Sequence, residues 1–232
     1  MYYNESDMDK AKFVLYKDNP EVNHRSKLRE QIEELAKIVR LAEQSPDTKK
    51  KLRQELLNGV KSKGVHMPNH IGCTGCCDSG RVTEKRLCRC MYYFNTEKDK
   101  TCATCKIKTK WKNVGRIAVT EYEYPTKYVL DNVGGIDLLF DDVYAVEVKP
   151  QNSDETLARM FAEILTYTID YDYKPAICFF EDSKQMNDYK RLMLEENEDL
   201  IYLSSFIKVF YFQTENKDGI VEFEIKEIEE LK

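Results

Sequence analysis

Residues 134 to 149, Gly-Gly-Ile-Asp-Leu-Leu-Phe-Asp-Asp-Val-Tyr-Ala-Val-Glu-Val-Lys, set an acid in one apolar stretch and a Glu-x-Lys in the next. Ile136, Leu138 and Phe140 alternate with Asp137 and Leu139, Asp141-Asp142 carries turn chemistry, and β-rich sequence resumes from Val143 to Lys149, so the stretch predicts a hairpin. Asp137 and Glu147 then stand side by side. With the period-2 geometry of a strand, Glu147 and Lys149 project from one face while Val146 and Val148 turn to the other. Two carboxylates and an ammonium converge there. Hard carboxylate oxygens are what Mg²⁺ or Mn²⁺ requires, and an ion so held activates a water and stabilises charge developing on a phosphate. The lysine would orient that water or neutralise the phosphate. The competing reading is a surface hairpin with solvated charges. Against it, Tyr-Ala-Val-Glu-Val-Lys-Pro embeds both charges in an apolar strand, where burial is costly without a partner or a metal.

These elements need a scaffold. Glu155 to Asp170 repeats Leu157, Phe161, Leu165 and Thr168 at helical spacing, with Ile164 widening the stripe, and Pro175 to Phe180 reads as a buried strand. The pattern resembles the PD-(D/E)xK nuclease superfamily, in which a strand carrying Asp precedes one carrying Glu or Asp, an apolar residue and Lys. The matching residues are Gly135-Ile136-Asp137 and Glu147-Val148-Lys149, and hairpin, helix, strand is the order that superfamily uses. The resemblance implies an α/β fold with a mixed sheet flanked by helices, of the restriction-endonuclease-like kind. It also implies Mg²⁺-dependent cleavage of phosphodiester bonds, in DNA rather than RNA. In the RecB-type branch the helix carries Gln-x-x-x-Tyr; here Glu163 to Tyr167 keeps the spacing with Glu in place of Gln. Glu163 and Tyr167 thus join Asp137, Glu147 and Lys149 as candidate catalytic residues, the alternative being an exposed Glu and a packing Tyr. The branch also supplies an upstream acid from a helix. Glu121 and Glu123 are nearest, but Arg116 to Tyr124 reads as a strand. The resemblance spans roughly residues 115 to 212.

Seven of eight cysteines lie between 73 and 105. Cys73-Thr-Gly-Cys76 and Cys102-Ala-Thr-Cys105 are two C-x-x-C knuckles, Cys77 follows the first, and Cys88-Arg-Cys90 lies between them. Two knuckles can close a tetrahedral thiolate zinc site, which substitutes for a core too small to hold such a segment together. The segment also looks like the zinc element of some DnaC-type helicase loaders and, more loosely, DnaJ-type repeats. That likeness implies Cys73, Cys76, Cys88 and Cys90 as one set, with Cys102 and Cys105 left for another. The pairing stays open: one zinc on four thiols, or two with His66 or His70 as an eighth ligand. An iron–sulfur cluster is the alternative metal group. A disulfide framework fits less well, because the cluster is odd and no apolar leader precedes it, which suits a reducing cytoplasm. Cys178, in an apolar strand, reads as a buried, inert thiol.

The net charge of -5 hides an asymmetry: residues 1 to 120 carry 25 Lys and Arg against 15 Asp and Glu, residues 121 to 232 carry 11 against 26. Residues 81 to 112, with ten basic and three acidic, could bind a phosphate backbone, and Tyr92, Tyr93, Phe94 and Trp111 could stack on unpaired bases. A solvated basic face and a small aromatic core are the alternatives. Leu28, Ile32, Leu35, Val39 and Ala42 predict a helix over Ser26 to Glu43, and Ser45-Pro46 opens a second that ends near Asn58-Gly59. This hairpin is a candidate surface for a second copy or a protein partner. Three regions follow: 1–66 helical, 67–110 a zinc module, 111–232 the nuclease-like domain. Ser183 to Leu200 predicts one helix, and Phe206 to Gln213 pairs with Ile220 to Lys226 as a late hairpin. No run of 18 apolar residues exists, phosphate-loop glycines are absent, and all three histidines fall in the first third, against Ser-His-Asp or Cys-His chemistry. Besides a nuclease, an inactive zinc-dependent adaptor, or a subunit cutting only within a recombination or packaging assembly, would use these features.

Overall fold

A single sheet collects the apolar strands. The computed structural model describes residues 24–44, 83–96, 109–111, 117–124, 135–168 and 172–228. In chain order these form a 3₁₀ turn (Arg25–Lys27), α1 (Leu28–Gln44), α2 (Glu84–Thr96), β1 (Thr109–Trp111), β2 (Val119–Tyr124), β3 (Ile136–Phe140), β4 (Tyr144–Val148), α3 (Leu157–Thr168), β5 (Lys174–Phe180), α4 (Lys184–Leu194), α5 (Glu198–Phe206), β6 (Lys208–Lys217) and β7 (Ile220–Glu227). The sheet order is β1-β7-β6-β5-β4-β3-β2. It is mixed: β2, β3 and β4 run antiparallel, β5 and β6 follow parallel to β4, and β7 turns back beside β6. The α/β class and the flanking helices stand as expected. Among the described residues no helix is long and apolar enough to cross a membrane.

The expected hairpin forms because Asp141 and Asp142 both adopt positive φ, 55° and 54°, the twist that a two-residue turn between strands needs. Val143 N–H closes it on Phe140 C=O at 2.9 Å. The late hairpin turns the same way on Asp218 and Gly219, at φ 52° and 76°. Strand alternation then sorts side chains between two faces. Ile177 and Phe179 join α1, α3, α4 and α5 in one core, whereas Val146, Val148, Cys178, Phe180 and Phe212 join Leu87, Cys88 and Met91 of α2 in the other. Cys178 is fully buried, as expected.

Three expectations change. The boundary at 66 does not separate α1 from the sheet domain: Ile32 and Leu35 are wholly buried, in the same core as Leu157, Phe161 and Leu203. The amphipathic stripe that suggested a helical hairpin is spent on this core instead; the second predicted helix, 45–58, lies outside the described residues. Nor does the boundary at 110 hold for α2, which packs on β2 and β3, or for β1, which pairs with β7. Finally, Ser183 to Leu200 is two helices. Asn197 starts the second by accepting from Leu200 N–H at 2.8 Å, after Glu196 turns to φ 51°.

Candidate metal centre

The register of β3 with β4 pairs Leu138 with Val146 and Leu139 with Ala145, so the next pair is Asp137 opposite Glu147. Gly135 lets that strand begin where it does. A Cβ there would lie 2.7 Å from Tyr124 C=O, a contact no side chain tolerates. Asp137 Oδ2 accepts from Val148 N–H at 2.8 Å, which fixes one carboxylate oxygen on the β4 backbone. Glu147 is 2% and Lys149 3% exposed, so the strand's two charges are buried as their apolar setting implied.

Around them stand residues from both helical layers. Lys149 Nζ lies 2.5 Å from Glu147 Oε1, 2.9 Å from Glu84 Oε2, 3.2 Å from Glu155 Oε2 and 3.4 Å from Glu163 Oε2. Glu163 is 3% exposed, which removes the alternative of a surface glutamate, and Arg159 Nη2 pairs with its other oxygen at 3.0 Å. Tyr167 is buried on the same helix, one turn on. Four of the five sequence candidates, Asp137, Glu147, Lys149 and Glu163, therefore meet at one place, while Tyr167 packs in the apolar core with Phe161 and Ile164, near enough to feel the Glu147 and Glu163 charges. Residues 149–156 between β4 and α3 bring Glu155; Gln185 of α4 clasps this segment by donating to Ser153 C=O and Glu155 C=O at 3.2 and 2.6 Å.

Glu84 was not foreseen. It opens α2, which packs on β2 and β3 and whose Leu87, Cys88 and Met91 are buried in that core. Glu84, Leu87, Cys88 and Met91 follow i, i+3, i+4, i+7, the helical signal that could have found it. Treating Cys88-x-Cys90 as a metal-binding pair masked that period. Carboxylate oxygens of Glu84, Asp137 and Glu147 lie within 4.8 Å of one another, a set suited in number and hardness to Mg²⁺ or Mn²⁺. Glu84 and Asp137 keep part of their surface accessible, so a hydrated ion can reach the set.

Electrostatics agree with that fit. Burial, then the Glu84 charge, pushes the Asp137 carboxyl well up, and burial with Asp137 beside it does the same to Glu147. Burial alone would discharge Lys149, but Glu147, Asp137 and Glu163 outweigh it and hold the ammonium charged. The Tyr167 phenol is driven up by burial and by the Glu147 and Glu163 charges, so it keeps its proton. Such a site is costly to the folded protein without a cation.

The thiols are placed differently. Cys88 is 1% exposed in the core that α2 shares with the sheet, and Cys90, half-buried, packs against the same cluster, so both take part in apolar packing. Cys73, Cys76, Cys77, Cys102, Cys105, His66 and His70 lie outside the described residues. So do Lys106 and Lys108 of the basic stretch. Tyr92 packs on Tyr122, ring centroids 5.2 Å apart, rather than standing clear for a base. Compared with family models, with curated proteins and with solved structures, the chain matches none.

Proposed function

We propose that this chain is a divalent-metal-dependent nuclease that hydrolyses DNA phosphodiester bonds, on a restriction-endonuclease-like core. The observation that carries the proposal is the convergence of the Glu84, Asp137 and Glu147 oxygens within 4.8 Å, beside a buried Lys149. The order of β3–β4 hairpin, α3 and β5, and an upstream acid borne on a helix, add support. Glu84, Asp137 and Glu147 would hold Mg²⁺ or Mn²⁺. When bound, the ion would activate a water and neutralise charge on the phosphate in flight.

The chain's own groups do the rest. Lys149, kept protonated by its carboxylates, has N–H donors to orient the attacking water or meet a non-bridging oxygen. Asp137, anchored to Val148 N–H, keeps its remaining oxygen directed at the cluster. Tyr167 brings a neutral phenol and no added charge. The two knuckles, Cys73-x-x-Cys76 and Cys102-x-x-Cys105, are the thiols we propose for zinc, in a module that aids nucleic-acid binding; metal analysis finding stoichiometric iron and no zinc would refute this part.

The test of the main proposal is incubation of the purified chain with linear and circular DNA and RNA, with Mg²⁺, with Mn²⁺ and with chelator. Cleavage of DNA that needs the metal and vanishes in Glu84→Ala is the expected result. No cleavage of any substrate under any condition would leave an inactive adaptor as the better reading.

A further inference from the structure

Lys149 is crowded by negative charge. It donates hydrogen bonds to Glu147 and Glu84, and the carboxylates of Glu155 and Glu163 stand at ion-pair distance, 3.2 and 3.4 Å from Nζ. Three of them, Glu147, Glu155 and Glu163, come from β4, from the segment after it and from α3. A metal at Glu84, Asp137 and Glu147 would relieve two of the four. The charges of Glu155 and Glu163 would still compete with substrate for the lysine. Among the described residues Arg159 is the cation that also faces them: it lies one helical turn before Glu163 and just past the segment that carries Glu155, with Nε 3.3 Å from Glu155 Oε2 and Nη2 donating to Glu163 Oε1 at 3.0 Å. Its side chain is only 16% exposed, so water screens these pairs weakly.

We propose that Arg159 is a positioning residue that keeps Lys149 available, by hydrogen-bonding the Glu163 oxygen that Lys149 does not face and by sharing the charge of Glu155 Oε2 with it. The idea rests on the metal-site reading above and adds to it a partition of labour between two cations. Arg159 suits the role because its guanidinium is a permanent, planar charge with donors fixed in direction, whereas Lys149 is a compact charge with rotatable donors. Helical spacing makes the Arg159–Glu163 contact local: residues four apart lie on one face. Remove Arg159, and both carboxylates turn their charge wholly on Lys149 and on the metal set.

The test is a double-mutant cycle on the full chain, with three readouts: steady-state cleavage with Mg²⁺, Ca²⁺ binding by calorimetry, and thermal melting. Arg159→Ala should lower kcat about tenfold or more with little change in KM. It should also tighten Ca²⁺ by severalfold, because the site becomes more negative. Adding Glu163→Gln to it removes the surplus charge at nearly constant shape; most of the lost kcat should return, and Ca²⁺ affinity should fall back toward wild type. Non-additivity of this kind is what contacting residues show. A kcat loss that Glu163→Gln does not relieve, with a lowered melt, would make Arg159 a structural residue and overturn the proposal. So would unchanged kcat and unchanged Ca²⁺ affinity in Arg159→Ala. If Arg159→Ala does not fold, Arg159→Lys takes its place: charge without the fork should preserve Ca²⁺ affinity while kcat falls, and wild-type kcat would overturn the clamp. Should the wild type cleave nothing, the nuclease reading fails, while the Ca²⁺ arm of the cycle still decides the clamp.

Discussion

Two groups of ion pairs in this molecule use the same residue types to opposite ends. Along the seam between the first helical segment and the helices α4 and α5, Arg25 pairs with Asp188, Arg29 with Glu195 at 2.9 Å and Arg40 with Asp199 at 2.5 Å, and Arg191 lies 3.6 Å from Asp188 and 3.4 Å from Glu195, so each of these anions has a cation of its own. Arg40 also lies 4.3 Å over the Tyr202 ring. The cations of this seam all reach solvent, and an apolar core beneath them does the holding. Around Lys149, by contrast, the carboxylates of Glu84, Asp137, Glu147, Glu155 and Glu163 outnumber the cations Lys149 and Arg159 among the described residues, and the central groups are buried. A seam balanced in charge explains itself as stability. An unbalanced buried cluster does not, since each uncompensated charge costs the fold free energy, and a bound cation is the simplest compensation. The difference separates charge kept for structure from charge kept for chemistry.

The sharpest way to break that contrast is at Glu147. Glu147→Ala should abolish metal-dependent cleavage, while the metal-free melt holds or rises, because a crowded buried carboxyl is removed and Lys149 keeps Glu84, Glu155 and Glu163. Full cleavage by this variant would remove Glu147 from the site. A fall in melting temperature as large as that of a core truncation would place the cluster with the seam, as structure.

How the site could be read in advance differs residue by residue. Asp137, Glu147 and Lys149 were legible because strand period and turn chemistry are local, and local rules set their faces. Glu163 and Tyr167 were named by the resemblance alone, since helical spacing marks the apolar stripe of that helix and not the acid beside it. Glu84 was hidden for a physical reason: it lies more than fifty positions from its partners, and nothing local marks a long-range contact. The α2 stripe was present in Leu87, Cys88 and Met91, but the cysteine at one of its positions, with Cys90 beside it, carried a competing meaning. Likewise α1 was legible as a helix, though not as part of this core, because an amphipathic face does not name what covers it. The break at Glu196 went unseen since Asn197 caps a helix only if the chain turns there.

Next in size is the apolar support of the seam. Leu35→Ala in α1 removes a fully buried side chain from the main core and should cost about 2–5 kcal/mol in denaturant unfolding. A chain whose first 66 residues formed a separate region would show no such loss in the sheet domain. Unfolding of the domain unchanged by Leu35→Ala would restore that boundary.

A pH series sharpens the comparison without mutation. Asp137 and Glu147 have folded pKa values raised above the unfolded values of about 3.9 and 4.3. The folded state therefore keeps protons that the unfolded state has released, and their favourable contribution is whole below about pH 4 and lost as pH climbs through the raised values. The metal-free protein should thus melt progressively lower as pH is raised from about 4, and Mg²⁺ should recover more of the melt at the higher pH, where protons compete least. Glu147→Ala should flatten both trends. A metal-free melt whose pH dependence is the same in Glu147→Ala as in the wild type would contradict the buried acids as its source.

The smallest effect belongs to the seam itself. Arg29 and Glu195 have side chains 63% and 40% exposed, so their pair is largely screened and should contribute no more than about 1 kcal/mol. Arg29→Ala should shift the denaturant midpoint by only that much, shrink further in high salt, and leave cleavage and Ca²⁺ affinity at wild-type values. Arg40→Ala should cost somewhat more, since it gives up both Asp199 and the face of Tyr202. If either variant changed metal affinity, charge on the seam would be felt at the cluster, and the division between structural and chemical charge would fail at the point where it is easiest to measure.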